Sequence, residues 1–315
     1  MAQFPWENQF MASVPAFVAA GMAEERAHYL LQEYIRLAHS TPMPPVLDFS
    51  KGLASDASPY LARDQQIHEL MLAIFEPLLS RFALDGKENF HRLLPALKTC
   101  GVTLVANHLS HFDAAVIYAL LNREADLALY ARELFFIAGR LVFTSDFSRV
   151  AGRMFNTMLV ASPRDIEENP GVQRQLAQLN IRSFKEAKSR QRNGQALVLY
   201  PEGTRSRDAR MGQFHAALYN YVEGTVVLPV ALTGPEKILH AEAFTFGLTS
   251  GAMKIGEPLF VGAADDCPAG ITRFDNGALP KHTRKQQTMD ALGKAVADLL
   301  PAAMRGFYAA DRVNN

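Results

Sequence analysis

Val102-Thr103-Leu104-Val105-Ala106-Asn107-His108-Leu109-Ser110-His111-Phe112-Asp113 begins as a short apolar run with β-branched residues, breaks into polar residues and then gives way to a helical pattern from Ala114 to Leu121. The run predicts a buried strand, and the change of period behind it predicts a strand, a loop and a helix in succession. Outward from this stretch the same alternation recurs. Leu127 to Tyr130, Met158 to Val160, Ala196 to Tyr200, Val226 to Leu232 and Met253 to Ile255 read as further strands, whereas Val172 to Arg192 and about Gln286 to Phe307 read as helices. A chain that alternates in this way predicts an α/β fold, a mixed central sheet flanked by helices.

Upstream the pattern is helical. From Pro15 to Ala38 the residues Phe17, Val18, Met22, Tyr29, Leu30, Tyr34 and Leu37 fall mostly at helical spacing, with Glu24, Glu25, Arg26 and Gln32 between them. Pro42, Pro44, Pro45, Gly52 and Pro59 make Ser40 to Pro59 a linker or long loop. A second helical stripe follows: Ile67, Leu70, Met71, Ile74, Phe75, Leu78, Leu79 and Phe82. With only Arg63 and Arg81 as basic neighbours, this stripe fits packing inside the protein better than a membrane-surface face. After Gly86 comes a helix around Phe90 to Leu97. The expected organisation is a small N-terminal helical bundle over residues 1–85 and an α/β domain over residues 86–315.

Lys plus Arg and Asp plus Glu number 32 each, so the net charge demands no nucleic-acid partner. The charge is nonetheless uneven: residues 132–210 hold fourteen Lys or Arg against eight Asp or Glu, an excess that favours anionic ligands unless it only solvates a helix face around Lys185 to Arg192. Cys100 and Cys267, the two cysteines, lie far apart without C-x-x-C spacing, which argues against a disulfide framework or zinc cluster. No run of about 18 apolar residues and no secretory start occurs, so the expectation is a soluble cytoplasmic protein. No dinucleotide fingerprint, P-loop or His-Glu-x-x-His is present, and neither a metal nor an organic cofactor is expected. No Gly-x-Ser-x-Gly elbow occurs, which argues against a serine acyl-enzyme.

Two segments lie just behind predicted strands, where open α/β sheets place their ligand sites. In the first, His108 leaves a strand end and Asp113 follows at the start of a helix. A carboxylate there can reach back to one imidazole nitrogen, fix the tautomer and leave the other nitrogen free to take a proton. The competing reading is structural, because Ser110-x-x-Asp113 is also a capping-box pattern. His111 is a rival base, placed less well relative to Asp113. In the second segment Leu197 to Tyr200 runs into Pro201-Glu202-Gly203-Thr204-Arg205-Ser206-Arg207, where Gly203 permits an unusual backbone conformation and two guanidinium groups offer forked donors suited to phosphate. For an arbitrary Arg-x-Arg the plain alternative is a surface turn with its arginines in salt bridges.

Taken together, Asn107-His108-x4-Asp113 and Pro201-Glu202-Gly203-Thr204-Arg205 resemble the paired motifs of the glycerolipid acyltransferases. Arg164, behind the strand Met158 to Val160, and Val227-Leu228-Pro229-Val230 sit where that family has its further motifs. Ser13 to Ala16, Met22 to Glu25, Phe75 to Leu78 and Arg182 to Glu186 look similar to the soluble glycerol-3-phosphate acyltransferases of the plastid type. That resemblance implies transfer of a fatty acyl group from an acyl-carrier-protein or coenzyme A thioester to the sn-1 hydroxyl of glycerol 3-phosphate, the first step of phospholipid synthesis. It implies His108 and Asp113 as the general base pair and Arg164, Glu202, Gly203, Thr204, Arg205 and Arg207 as residues for the phosphate and glycerol. Amides of Gly203 and Thr204 would serve as oxyanion donors, and Glu202 would orient an arginine or meet an acceptor hydroxyl. A peripheral membrane contact for product release is compatible with it. Two departures bear on the acceptor: the plastid enzymes read closer to Pro-Ser-Gly-Gly-Arg-x-Arg at the arginine turn, and Asp165 stands where they tend to carry a basic residue. The alternatives are a 1-acyl-glycerol-3-phosphate acyltransferase, an enzyme acting on dihydroxyacetone phosphate and, in another class, a non-catalytic lipid- or carrier-binding protein.

Overall fold

Val102 to Ala106, buried at all five positions, forms the strand that the apolar run predicts. The computed structural model describes residues 4–47, 58–240, 244–274 and 281–309. By compactness the chain groups into two units, each discontinuous in sequence: residues 1–80, 135–188 and 237–249 in one, and residues 81–134, 189–236 and 250–315 in the other. The N-terminal helices thus group with two later segments, whereas the sequence reading divides the chain once, between residues 85 and 86.

In the second unit Val102–Ala106 has a parallel neighbour on each side, Ala196–Leu199 in register Val102↔Ala196 and Thr225–Thr233 in register Val102↔Val226. Burial on both faces explains why these strands read as continuous apolar runs rather than alternating ones. The other edge of Thr225–Thr233 pairs antiparallel with two strands, Gly251–Ile255 over Val230 to Thr233 and Leu259–Val261 over Thr225 to Val227. Pro229 falls in the gap between these two partners, so its missing N–H costs the ladder nothing on that side. Gly251–Ile255 in turn pairs parallel with Phe82–Asp85. With helices Asp113–Arg123 and Lys281–Leu299 joining these strands, the architecture is the expected mixed α/β fold.

The first unit carries helices Glu7–Met11, Val14–Ala19, Glu24–Ser40 and Gln65–Leu78, together with the parallel strands Leu134–Gly139 and Asn156–Val160 and the short antiparallel strand Tyr60–Leu61. An aromatic cluster of Trp6, Phe10, Tyr34, Phe147 and Phe246 forms part of its core, and the buried Tyr34 hydroxyl donates to the Phe147 carbonyl. Ile67, Met71, Ile74, Phe75 and Leu78 are buried, so the second amphipathic stripe packs inside the protein. Among the described residues no helix is long and apolar enough to cross a membrane.

Several element boundaries differ from expectation. Gly21, at φ +92°, breaks the first helical stretch in two. The Gln65–Leu78 helix stops one residue past Pro77, and Phe82 belongs to a strand. Leu127 to Tyr130, expected as a strand, joins the helical turn Ala128–Arg132, and the strand is the next segment, Leu134–Gly139. The last helix starts earlier, at Lys281, and ends at Leu299 because Pro301 cannot continue it. Residues 48–57 of the expected linker lie outside the described ones.

Candidate functional site

The site is built where two neighbouring parallel strands end. At the tip of Val102–Ala106 the Asn107 carboxamide imitates a peptide unit: its Nδ2 donates to the Leu232 carbonyl at 3.1 Å and its Oδ1 accepts from the Leu232 N–H at 2.8 Å. The ladder is thereby extended by one side chain, and the backbone of the next residue, His108, is held at the sheet edge.

Asp113, with its side chain 1% exposed, gathers the loop around its carboxylate. Its Oδ2 lies 2.7 Å from His108 Nδ1 and accepts the Leu109 N–H at 2.7 Å; the Ser110 N–H and hydroxyl reach the same carboxylate at 3.1 and 3.2 Å. The same carboxylate thus collects the loop amides and orients the imidazole. A carboxylate on Nδ1 holds the proton there and leaves Nε2 as the basic nitrogen. The imidazole also stacks on Tyr200, with ring centroids 4.4 Å apart and planes 16° apart. The Tyr200 hydroxyl is buried without a hydrogen-bond partner among the described residues, and burial, then the Asp113 charge, holds its pKa well above the ordinary value.

The arginine turn is stitched to this loop. The Ser206 N–H donates to the His108 carbonyl at 2.8 Å, which puts the residue between Arg205 and Arg207 directly on the histidine. Gly203 adopts φ +71°, the left-handed conformation for which the sequence reserved a glycine. Arg205 and Arg207 are exposed, and neither makes a hydrogen bond or ion pair with the described residues. Among the described residues these arginines therefore do not form a salt-bridged surface turn.

Glu202 departs from both expected roles. Its side chain turns inward, the residue is 5% exposed, and its two oxygens accept backbone N–H groups from His108 at 2.8 Å and Gly212 at 2.6 Å. Burial raises its pKa, partly offset by the two amides and by His108. It is a strut between the histidine loop and the segment behind the arginine turn. The Gly203 amide is likewise spent inside the turn, donating to the Tyr200 carbonyl at 3.1 Å, and this corrects its expected role as an oxyanion donor. Thr204 makes no hydrogen bond with the described residues and keeps that candidacy.

Arg164 belongs to the other unit. It is exposed in the first turn of helix Pro163–Glu168, with its Nε 2.6 Å from Glu168 Oε1. Asp165 next to it closes a capping box with Ser162, so the acidic residue at this position secures a helix start. Among the described residues no cluster of three or more His, Cys, Asp or Glu is arranged to hold a metal ion.

His111 makes no hydrogen bond to Asp113 and is distinguished from His108 by its surroundings. Although the residue is exposed at the surface, partial desolvation of its ring, then the charges of Arg205 and His108, push its pKa down to about 4 from the ordinary 6.5. The unfolded chain therefore binds the extra proton between these values, and stability falls as pH drops through that window. His111→Gln is expected to retain more of its neutral-pH stability at about pH 5 than the wild type does, measured by urea unfolding at both pH values, with the pH dependence of turnover unchanged. A pH–rate profile that lost its acidic limb in this variant would make His111 the base.

With both loops inside them, residues 81–233 match the family model described as Acyltransferase. This segment, just under half of the chain, is similar to the acyltransferases. Among named relatives, the chain is similar to the chloroplastic glycerol-3-phosphate acyltransferase of Phaseolus vulgaris, 33% identical over 107 residues that make up 34% of this chain and 23% of that protein. It is also similar to the chloroplastic glycerol-3-phosphate acyltransferase of Spinacia oleracea, 30% identical over 122 residues, 38% of this chain and 25% of that protein. The chain thus spans about a quarter of the length of the curated relatives it matches. A solved structure, the 1-acyl-sn-glycerophosphate (LPA) acyltransferase PlsC from Thermotoga maritima, aligns with a TM-score of 0.45 at 20% identity, covering 86% of this chain and 95% of that one.

Proposed function

We propose that this chain transfers a fatty acyl group from a thioester of acyl carrier protein or coenzyme A to the sn-1 hydroxyl of glycerol 3-phosphate. The observation that carries the reading is a carboxylate-oriented imidazole and two guanidinium groups without partners among the described residues, on loops joined by the hydrogen bond from Ser206 to the His108 carbonyl. His108 Nε2 takes the proton of the acceptor hydroxyl as its oxygen attacks the thioester carbonyl. Asp113 stabilises the imidazolium that forms, and the thiolate leaves with the proton returned from His108. Arg205 and Arg207 grip the phosphate so that the hydroxyl is presented to Nε2, which turns an encounter into a near-intramolecular step. Names of the curated relatives favour glycerol 3-phosphate as the acceptor.

The test is an assay of labelled acyl transfer from both donors to glycerol 3-phosphate, lysophosphatidate and dihydroxyacetone phosphate. Transfer to glycerol 3-phosphate alone supports the proposal; preference for lysophosphatidate moves the protein to the second acylation step, and binding without transfer makes it a carrier- or lipid-binding protein. Arg205→Ala is expected to raise the acceptor KM by about 10- to 100-fold, the worth of one charge-assisted phosphate contact, with a smaller change in kcat. Steady-state kinetics in varied glycerol 3-phosphate measure it, and an unchanged KM would remove Arg205 from the phosphate grip.

A further inference from the structure

The last described residues hold the segment that follows the arginine turn. After helix Lys281–Leu299, Pro301 redirects the chain, and two 3-10 turns, Ala302–Met304 and Gly306–Tyr308, carry it alongside residues 211–214. The Met211 N–H donates to the Met304 carbonyl and the Phe307 N–H to the Met211 carbonyl, both at 2.9 Å. Gly306, at φ +51°, is pressed against Met211 so closely that a Cβ would lie 2.0 Å from its carbonyl oxygen. Tyr308 then accepts the Phe214 N–H at 2.8 Å and donates to Asp290 Oδ1 at 3.1 Å, while its ring covers Gly293, where a Cβ would come within 2.2 Å of Cζ. Between Met211 and Phe214 stands Gly212, whose N–H reaches Glu202 Oε2; the other Glu202 oxygen accepts the His108 N–H.

We propose that Tyr308 is a positioning residue for the His108 base, acting through a C-terminal strap that fixes residues 211–214, hence Glu202, hence the backbone of His108. The proposal rests on the reading of His108 as the base. Two glycines exclude any side chain where the strap lies against Met211 and where the tyrosine ring lies on the helix, and the Tyr308 hydroxyl has a partner on either side. Burial, with Asp290 and Glu202 nearby, holds its pKa far above the ordinary value, so it stays a neutral donor and acceptor through the working pH range. At the other end the buried Glu202 is an expensive group for a merely packed turn, and its cost is explained if both its amide partners must be held in place.

The test compares Tyr308→Phe, Glu202→Gln and the double variant in acyl transfer, with amide hydrogen exchange read at Gly212 and His108 and, as a reporter of global stability, in strand Thr225–Thr233. Tyr308→Phe keeps the ring over Gly293 and removes only the hydroxyl. Expected are a kcat lowered about tenfold with acceptor KM within about twofold, faster exchange at Gly212 and His108 than the central strand accounts for, and a double variant no slower than Glu202→Gln alone. Additive losses of kcat, or exchange at Gly212 and His108 that follows the central strand, would overturn the strap. A wild-type protein that transfers no acyl group would sink the acyl-transfer reading, and the exchange pattern would still decide whether Tyr308 acts on the His108 backbone.

Discussion

His108→Ala is expected to lower kcat by about 10² to 10⁴ while leaving the fold and the acceptor KM close to wild type. On the proposed reaction the rate loss follows from removing the group that would take the hydroxyl proton, while Arg205 and Arg207, proposed to grip the phosphate, lie outside the change. Stability should survive for a reason specific to this loop. The Asp113 carboxylate, buried and charged, would be costly if stripped of its donors, but the imidazole is only one of them, and the Leu109 N–H, the Ser110 N–H and the Ser110 hydroxyl all remain. The His108 backbone keeps its bonds to Glu202 and Ser206, since both are made by main-chain atoms. Steady-state kinetics together with a thermal melt check the two halves of this expectation. Turnover at the wild-type rate would dismiss His108 as the base, whereas a collapsed melt would mean that the ring, stacked on Tyr200, is a structural element first.

How much of this was legible in the sequence depends on whether side chains or main-chain atoms carry it. Strands buried on both faces announce themselves as apolar β-branched runs, and Val102 to Ala106 and Val226 to Leu232 were readable for that reason. Leu127 to Tyr130 was misread because four residues without a polar break have no distinguishable period; the Leu-Ala-Leu-Tyr-Ala-Arg segment consists largely of good helix formers, and the strand lay one step further on. His108, Asp113, Arg205 and Arg207 were legible because their chemistry resides in side chains at strand ends. The role of Glu202 was not, since its partners are two backbone amides and every residue but proline has one. Asn107 and Gly212 were hidden in the same way, the first by imitating a peptide bond and the second by offering only its N–H. Tyr308 stands 94 residues along the chain from Phe214, a separation across which spacing carries no signal.

Asp113→Asn is expected to differ from His108→Ala by damaging catalysis and stability together. One carboxylate oxygen serves His108 Nδ1, the Leu109 N–H and the Ser110 N–H, and the other serves the Ser110 N–H and hydroxyl. An amide supplies a single acceptor in place of two. Placed with its oxygen toward His108, it still accepts from Nδ1 but no longer supplies the negative charge that stabilises the imidazolium, and its NH₂ meets the Ser110 donors. Turned the other way, the NH₂ faces Nδ1 and selects the tautomer whose basic nitrogen points away from the acceptor. Either orientation lowers kcat, by about 10³ to 10⁴ on the scale seen when the carboxylate behind a catalytic histidine is neutralised. Because one acceptor oxygen becomes a donor that faces the Ser110 donors or, turned round, the buried Leu109 N–H, unfolding free energy should fall by about 1 to 3 kcal/mol, a loss that His108→Ala does not share. Kinetics and urea unfolding on both variants separate the two patterns. Equal stability losses would mean that the imidazole, and not the carboxylate, organises the loop; full activity in Asp113→Asn would reduce Asp113 to the helix-capping role that its sequence pattern also allowed.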